Sequence, residues 1–149
     1  MGILAINKRA NFDYAILEKY EAGLVLSGQE VKSIRLGHIS LKESFVTIKG
    51  SELYLTNAHI TPYKYAGIIK NYDPTQPRKL LLKKSEINHL TGKVRIQGLT
   101  LVPIRVYTRR RLIKLEFGLG KGKKKFDKRE DIAKREDNRK IQRELRIKT

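Results

Sequence analysis

The sequence predicts a mainly β protein, a small antiparallel barrel with two short helices, followed by a basic C-terminal tail. Several segments alternate apolar and polar residues with a period of two, which is typical of half-buried strands. No long helix recurs between these segments, as it would in a parallel α/β sheet. The last stretch, residues 121–149, holds 13 basic and 6 acidic residues and too few large apolar side chains to bury a core of its own.

The first predicted strand covers residues 12–26, whose even positions are mostly apolar. The even face is therefore expected to point inward. The odd positions, among them Lys19 and Glu21, are expected to face solvent.

A short helix is predicted to follow this strand. Ser27 and Glu30 form a capping-box pattern, in which each side chain accepts a hydrogen bond from the other residue's backbone amide. Gly37 is a natural stop after the helix. Lys32 and Arg35 are three residues apart and share a face that is free to meet phosphate.

The middle of the chain reads as a hairpin and a loop. Residues 45–48 and 53–60 flank a short polar turn and are predicted to pair. Residues 73–77 contain two prolines, which forbid regular pairing. The apolar run 80–82 is either a buried strand or the lead into a helix, and periodicity does not decide between them.

The last part of the body is predicted to hold a second helix and a second hairpin. Ser85 is expected to cap the helix, which ends near Gly98. Residues 100–106 and 112–119 alternate well around the turn 108–111. About six strands and two short helices favour a small antiparallel barrel.

The charge balance indicates a polyanionic partner. The chain has 33 Lys and Arg against 15 Asp and Glu, a net charge of +18, with a pI near 10.2. This excess fits nucleic acid and makes an enzyme acting on an acidic substrate a poor candidate. There is no apolar run of membrane-spanning length and no signal-peptide pattern, so we expect a soluble cytoplasmic protein without a membrane partner.

No reaction centre is evident. Cysteine is absent, and the three histidines, His38, His59 and His89, lack metal-ligand spacing. Glu21 and Glu30 are conceivable as an acid/base pair, but a salt bridge for one and a helix cap for the other are favoured. We therefore expect no catalytic, metal or cofactor site.

The glycine-spaced run 118–124 resembles a phosphate-binding loop only superficially. It lacks the first Gly and the Ser or Thr of a P-loop, and it also fails the dinucleotide-binding fingerprint. It is interpreted as a flexible basic loop whose amides approach a phosphate backbone.

Short motifs occur in a fixed order along nearly the whole chain: NKRA at 7–10, EAGLVLSGQEVKSIR at 21–35, SFV at 44–46, HITPY at 59–63, DPT at 73–75, RKLLL at 78–82 and GKGKKKFDKR at 120–129. Together they resemble the SsrA-binding protein family, which binds transfer-messenger RNA (tmRNA) during trans-translation. The resemblance implies a closed β-barrel of oligonucleotide-binding type with flanking helices. Two positions depart from the family pattern: Gln76 and Pro77 precede Arg78 where a basic residue is frequent, and Phe126 stands where His is frequent.

The resemblance also implies which residues contact RNA. The tRNA-like elbow of tmRNA is expected to bind Asn7, Lys8, Arg9, Glu21, Lys32, Arg35, Arg78, Lys79 and Leu81. Of these, Leu81 is alternatively a core residue and any single lysine a solvated surface group. Pro62 and Tyr63 are interpreted as the end of a strand rather than as an RNA contact.

Residues 1–120 are expected to form the RNA-binding body and residues 121–149 a tail. The tail's acidic-before-basic i,i+4 pairs are worth only about 0.2–0.5 kcal/mol each, so it is expected to be disordered when free and helical on the ribosome. The resemblance implies that the tail senses the vacant messenger channel at the decoding centre of the small ribosomal subunit. The implied contacts are Gly120, Lys121, Gly122, Lys123, Lys124, Lys125, Phe126, Asp127, Lys128 and Arg129.

The resulting prediction is a noncatalytic RNA-binding adaptor, monomeric and bound one-to-one to tmRNA, that acts in ribosome rescue. Three other classes remain open at this stage. A ribosomal protein would copurify with all subunits, and a nonspecific nucleic-acid chaperone would bind DNA and RNA alike. An RNA-modifying enzyme is the least favoured, because no nucleophile or base was found.

Overall fold

The computed structural model describes residues 2–66 and 71–123, together with Arg129, Ala133, Arg135, Glu136 and Arg139. The elements in chain order are β1 (Gly2–Ile6), α1 (Ala10–Asp13), β2 (Tyr14–Leu24), α2 (Gly28–Arg35), β3 (Ile39–Ser40), β4 (Phe45–Lys49), β5 (Glu52–Thr56), β6 (His59–Ile60), a 3₁₀ helix (Lys64–Ala66), β7 (Arg78–Leu81), α3 (Lys84–Gln97), β8 (Thr100–Arg109) and β9 (Leu112–Gly122).

Seven strands form one antiparallel sheet in the order β1-β8-β9-β2-β7-β5-β4, and β3 pairs with β6 separately. The mainly β class is thus as predicted, but the closed barrel is wrong. The outer strands are β1 and β4, and in the described residues no strand pairing joins them. A cavity of about 800 Å³ lies at this seam, between β1, α1, residues 39–45 and the start of β8.

Local structure at the two outer strands accounts for the open seam. The chain leaves β1 at Ile6 and enters α1 within four residues. Before β4, the Ser44 amide and hydroxyl both donate to the Leu41 carbonyl, which makes a tight turn. Closure would require these two edges to pair along their length.

One face of the sheet carries the main hydrophobic core. Phe117, Leu115 and Leu80 are fully buried there, together with Ile34 from α2 and Leu90 from α3. α1 covers a second, smaller cluster on β8, formed by Ala10, Val102 and Ile104.

The predicted ends of α2 and α3 are confirmed, except for the N-cap of α3. Both hydrogen bonds of the capping box form at α2, Ser27 N to Glu30 Oε1 at 3.1 Å and Glu30 N to Ser27 Oγ at 3.3 Å. Gly37, with φ of 81°, follows the helix as predicted. α3 ends at Gly98 in the left-handed region, but its N-cap is Lys83 rather than Ser85.

The strand predictions also differ in detail. The first two residues of the predicted strand 12–26 belong to α1, and the strand itself, β2, begins at Tyr14 and ends at Leu24. The ambiguous run 80–82 lies at the end of β7, and β1 was not anticipated. The second hairpin, β8–β9, turns through Arg110 and Arg111, whose φ angles are 52° and 68°.

The glycine run is part of the sheet, so the flexible-loop interpretation of residues 118–122 is wrong. Gly118 and Gly120 pair with β2 and β8 within β9. A Cβ at Gly118 would lie 2.7 Å from Ile16 Cγ2, so the close approach of β2 requires glycine here. β9 continues past the predicted body boundary to Gly122.

A buried ion pair ties α2 to β7. Arg78 is 2% exposed, and its Nη2 lies 2.6 Å from Glu30 Oε2. Arg78 also donates to the carbonyls of Ala58 and Pro74. Burial raises the pKa of Glu30, but hydrogen bonds from the Ser27 amide and from Arg78 outweigh it, so this pKa lies below its usual value of 4.5.

Replacing Glu30 by glutamine is expected to cost roughly 3–5 kcal/mol of unfolding free energy at neutral pH, because Arg78 is left buried without its counter-charge. A carboxylate with a lowered pKa stabilises the fold above its unfolded-state pKa, and the contribution is lost as pH falls through the folded value. The difference in unfolding free energy between wild type and Glu30→Gln should therefore become smaller below about pH 4.5, as measured by urea unfolding.

Glu52→Gln is the matched control, since Glu52 pairs with Lys79 at 3.6 Å on the surface. We expect a change of at most about 1 kcal/mol for this variant. Two results would contradict the stabilising role of the buried pair. One is an equal loss of unfolding free energy in Glu30→Gln and Glu52→Gln, and the other is a loss in Glu30→Gln that does not depend on pH.

Candidate nucleic-acid interface

Glu21 lies on β2, on the sheet face turned away from the main core. It accepts a hydrogen bond from the Tyr107 hydroxyl, and Arg109 Nη1 lies 3.3 Å from Glu21 Oε2. The Tyr107 hydrogen bond is the largest cause that lowers the pKa of Glu21. Burial and Glu21 together raise the pKa of Tyr107 to about 12. Glu21 is thus an oriented, ionised acceptor, which fits the predicted salt bridge rather than an acid.

The register places other side chains on the same outer face. Gly23 lies between Leu81 of β7 and Lys114 of β9. Leu81 is 55% exposed, so it is not a core residue. Lys79 shares this face because it is two residues from Leu81 along β7. Glu21, Lys79, Leu81, Arg109 and Lys114 are called the sheet patch below.

The exposed cations of α2 lie beside the end of this patch. Lys32 Nζ is 5.7 Å from the centre of the Tyr63 ring. Arg35 Nη2 donates to the Arg111 carbonyl at 2.9 Å, which joins the C-terminal end of α2 to the turn of the β8–β9 hairpin. Arg109 precedes this turn, so α2 and the sheet patch are continuous.

Residues 7–9 form a separate group at the other end of β8. Asn7 Nδ2 donates to the Pro103 carbonyl at 2.8 Å, so this amide positions the loop between β1 and α1. Arg9 pairs with Asp13 at 3.2 Å, and Lys8 is exposed. Arg109 lies six positions after Pro103 along β8, which corresponds to about 20 Å.

Arg78 was predicted to contact RNA, but its side chain is buried in the fold. Its guanidinium is enclosed by Glu30, Ala58 and Pro74 and does not reach the surface. Arg78 therefore presents no charge at the surface to an RNA phosphate. Arg78 is two residues from Leu80 on β7 and therefore shares its inward face, which was a sequence signal for this orientation.

The predicted ribosome contacts begin inside β9. Gly120, Lys121 and Gly122 are strand residues paired with β2. The Lys123 amide donates to the Asp13 carbonyl, and its ammonium donates to the Asn11 carbonyl at 2.8 Å. Arg129 is helical and exposed. The predicted contacts at Lys124, Lys125, Phe126, Asp127 and Lys128 lie outside the described residues.

Three cations near the sheet patch were missed at the sequence level: Arg109, Arg111 and Lys114. Lys114 alternates with the inward residues Ile113 and Leu115, which was a usable signal for an outward position. The position of the β8–β9 turn relative to α2 depends on the hydrogen bond from Arg35 to the Arg111 carbonyl, which joins residues 76 positions apart.

The described part of the chain contains no group of three or more His, Asp or Glu side chains arranged to hold a metal ion. Among the histidines, His89 Nε2 lies 3.5 Å from Glu18 Oε2 on the surface. Within the same described part, the helices are too short or too polar to cross a membrane.

The comparisons with known proteins agree with the resemblance seen in the motifs. Residues 4–147 match the family model described as SmpB protein. The SsrA-binding protein of Carboxydothermus hydrogenoformans is 52% identical over 146 residues, which cover 98% of this chain and 97% of that protein. The SsrA-binding protein of Alkaliphilus metalliredigens is 54% identical, with coverage of 95% and 90%.

A solved chain described as "tmRNA-SmpB: a journey to the center of the bacterial ribosome" has a similar structure. It matches with a TM-score of 0.65 and 49% identity, over 80% of this chain and 84% of that one. These matches extend over nearly the whole sequence, and they confirm the family predicted from the motifs. The chain belongs to the SmpB family of SsrA-binding proteins.

Proposed function

We propose that this protein is an RNA-binding adaptor that binds the tRNA-like domain of tmRNA and delivers it to stalled ribosomes for trans-translation. The observation that carries the proposal is the match to SsrA-binding proteins along almost the entire chain. The partners are tmRNA and the ribosome, which places the activity in the cytoplasm. The protein contributes binding and positioning and no chemical step.

The sheet patch and α2 are the proposed surface for the tRNA-like domain. RNA duplex grooves resist side-chain readout, so proteins recognise folded loops through shape, phosphates and unstacked bases. Lys79, Lys114 and Arg109 supply cations for phosphates, and exposed Leu81 supplies an apolar contact for a base. Ionised Glu21 orients Arg109 at 3.3 Å and accepts from an exocyclic amine.

Residues 7–9 are proposed as a second contact at the far end of β8. Exposed Lys8 and Arg9 neutralise phosphates there, and Asn7 holds the loop in place through Pro103. A separation of about 20 Å between the two groups lets one rigid sheet contact two parts of a folded RNA.

The tail is proposed to sense the vacant messenger channel. Lys123 is fastened to α1 by two hydrogen bonds, so the tail departs from a fixed point on the body. The described tail residues Ala133, Arg135 and Glu136 are each helical and exposed, and the Arg135 guanidinium lies 5.8 Å from the centre of the Phe12 ring. The segment 120–129 would lie along ribosomal RNA phosphates, with Phe126 stacked on an exposed base.

The Leu81→Glu variant tests the sheet patch. A carboxylate at this position would repel phosphate and remove the apolar contact, so the Kd for the isolated tRNA-like domain should rise at least about tenfold, or about 1.4 kcal/mol. Filter binding of labelled RNA at one fixed salt concentration measures this change.

Ile96→Glu is the matched control for this variant. Ile96 is 84% exposed on α3, outside the patch, and the same substitution there should leave the Kd within about twofold of wild type. An unchanged Kd for Leu81→Glu, or equal weakening by both variants, would exclude the patch as the binding surface.

Truncation after Lys123 tests the division between body and tail. Because this cut keeps β9 whole, binding of the tRNA-like domain should remain close to wild type, while tagging of peptides on stalled ribosomes should be lost. Phe126→Ala should reduce tagging and Phe126→Tyr should preserve it, because only the latter keeps a ring for stacking. Normal tagging by Phe126→Ala would refute the stacking role.

A further inference from the structure

Two tyrosines, half-buried Tyr63 and exposed Tyr65, lie next to the N-terminal part of α2. Tyr65, in the 3₁₀ helix, is 71% exposed. Its ring meets the Tyr63 ring edge to face, with centroids 5.4 Å apart and planes at 66°. An aromatic side chain this open leaves a flat apolar surface in contact with water.

A lysine ammonium group lies over the ring of each of these tyrosines. Lys64 Nζ lies 4.8 Å from the centre of the Tyr65 ring, and Lys32 Nζ lies 5.7 Å from that of Tyr63. Within residues 2–66 and 71–123, neither lysine takes part in a salt bridge. Their charge is therefore available to an anionic ligand. Tyr63, Tyr65, Lys32 and Lys64 are called the aromatic platform.

A line of positive charge leads from the platform to the β8–β9 turn. Lys32 and Arg35 are three residues apart on α2 and share one face. Arg35 contacts the Arg111 carbonyl, and Arg110 and Arg111 form the turn itself. Both turn arginines have positive φ angles, a conformation that favours Asn or Gly. The turn thus holds two further cations in a conformation that costs local stability.

We propose that the aromatic platform and this line of cations form a second RNA site, which takes an unpaired, single-stranded segment. One base stacks on Tyr65, and the following phosphates lie along Lys64, Lys32 and Arg35 towards the turn. The inference rests on the proposed function and adds to it a site for unpaired RNA, next to the surface for the folded domain.

The chemistry favours a single strand over a duplex or an acidic peptide. Bases inside a duplex are stacked on each other and offer no free face to a tyrosine. An acidic peptide satisfies the lysines but has no planar group to cover the Tyr65 ring. Aromatic rings interleaved with cations are the usual arrangement of surfaces that bind single-stranded nucleic acid.

A Tyr65→Trp variant provides a direct reporter, because the natural sequence contains no tryptophan. Stacking of an adenine base on the indole should quench its fluorescence. Titration of the full-length variant with a short oligoadenylate should therefore give saturable quenching. Ile96→Trp, exposed on α3, is the control and should show little quenching. Absent quenching, or equal quenching in the two variants, would overturn the proposal.

Affinity measurements separate stacking from charge. Tyr65→Leu should weaken oligoadenylate binding about tenfold, as expected for the loss of one base–aromatic stack, whereas Tyr65→Phe should retain it. Wild-type affinity in Tyr65→Leu would overturn the proposal, as would quenching by a blunt RNA duplex as strong as that by the single strand.

The same samples distinguish this site from the proposed function. The Leu81→Glu variant should bind the tRNA-like domain at least about tenfold more weakly than wild type and should bind oligoadenylate with wild-type affinity. If wild type binds the tRNA-like domain while oligoadenylate does not quench the fluorescence of Tyr65→Trp, only the proposed single-strand site is refuted. If oligoadenylate quenches but the tRNA-like domain does not bind, the proposed function is refuted and the platform stands.

Discussion

The buried pair between Glu30 and Arg78 connects α2 to β7, the two elements that carry much of the proposed RNA-binding surface. Glu30 uses one oxygen to cap α2 and the other to hold Arg78, 48 residues away. Arg78 in turn holds the carbonyls of Ala58 and Pro74. The neighbours of these two residues, Lys32 on α2 and Lys79 on β7, face outward. The pair therefore sets the position of exposed cations from the interior, which explains why a strongly basic protein buries one of its arginines.

Local signals in the sequence predicted the parts of the fold that depend on neighbouring residues. The capping box at Ser27 and the stop at Gly37 need only a few adjacent positions, and both were predicted correctly. The prediction of a closed barrel was wrong. Closure depends on whether β1 and β4 pair with each other, and no local sequence pattern indicates this. The glycines from 118 to 122 were misread as a loop because they pair with residues 14–19 of β2, about a hundred residues earlier.

The candidate site was predictable to a similar extent. The motifs and the charge located residues of α2 and β7, but charge alone does not separate outward Lys79 from buried Arg78. Only the two-residue period of β7, which places Arg78 on the face of Leu80, distinguishes them. β9 runs from the hairpin turn beside α2 to Gly122 beside α1. One continuous strand therefore connects the sheet patch to the start of the proposed tail.

Amide hydrogen exchange of the full chain, with and without the tRNA-like domain, tests most directly whether the body binds RNA through this surface. The account predicts slower exchange in α2, β7 and the β8–β9 hairpin when RNA is bound. It predicts unchanged exchange in α3, whose exposed side lies outside the surface. Protection confined to α3, or spread evenly over the body, would contradict it.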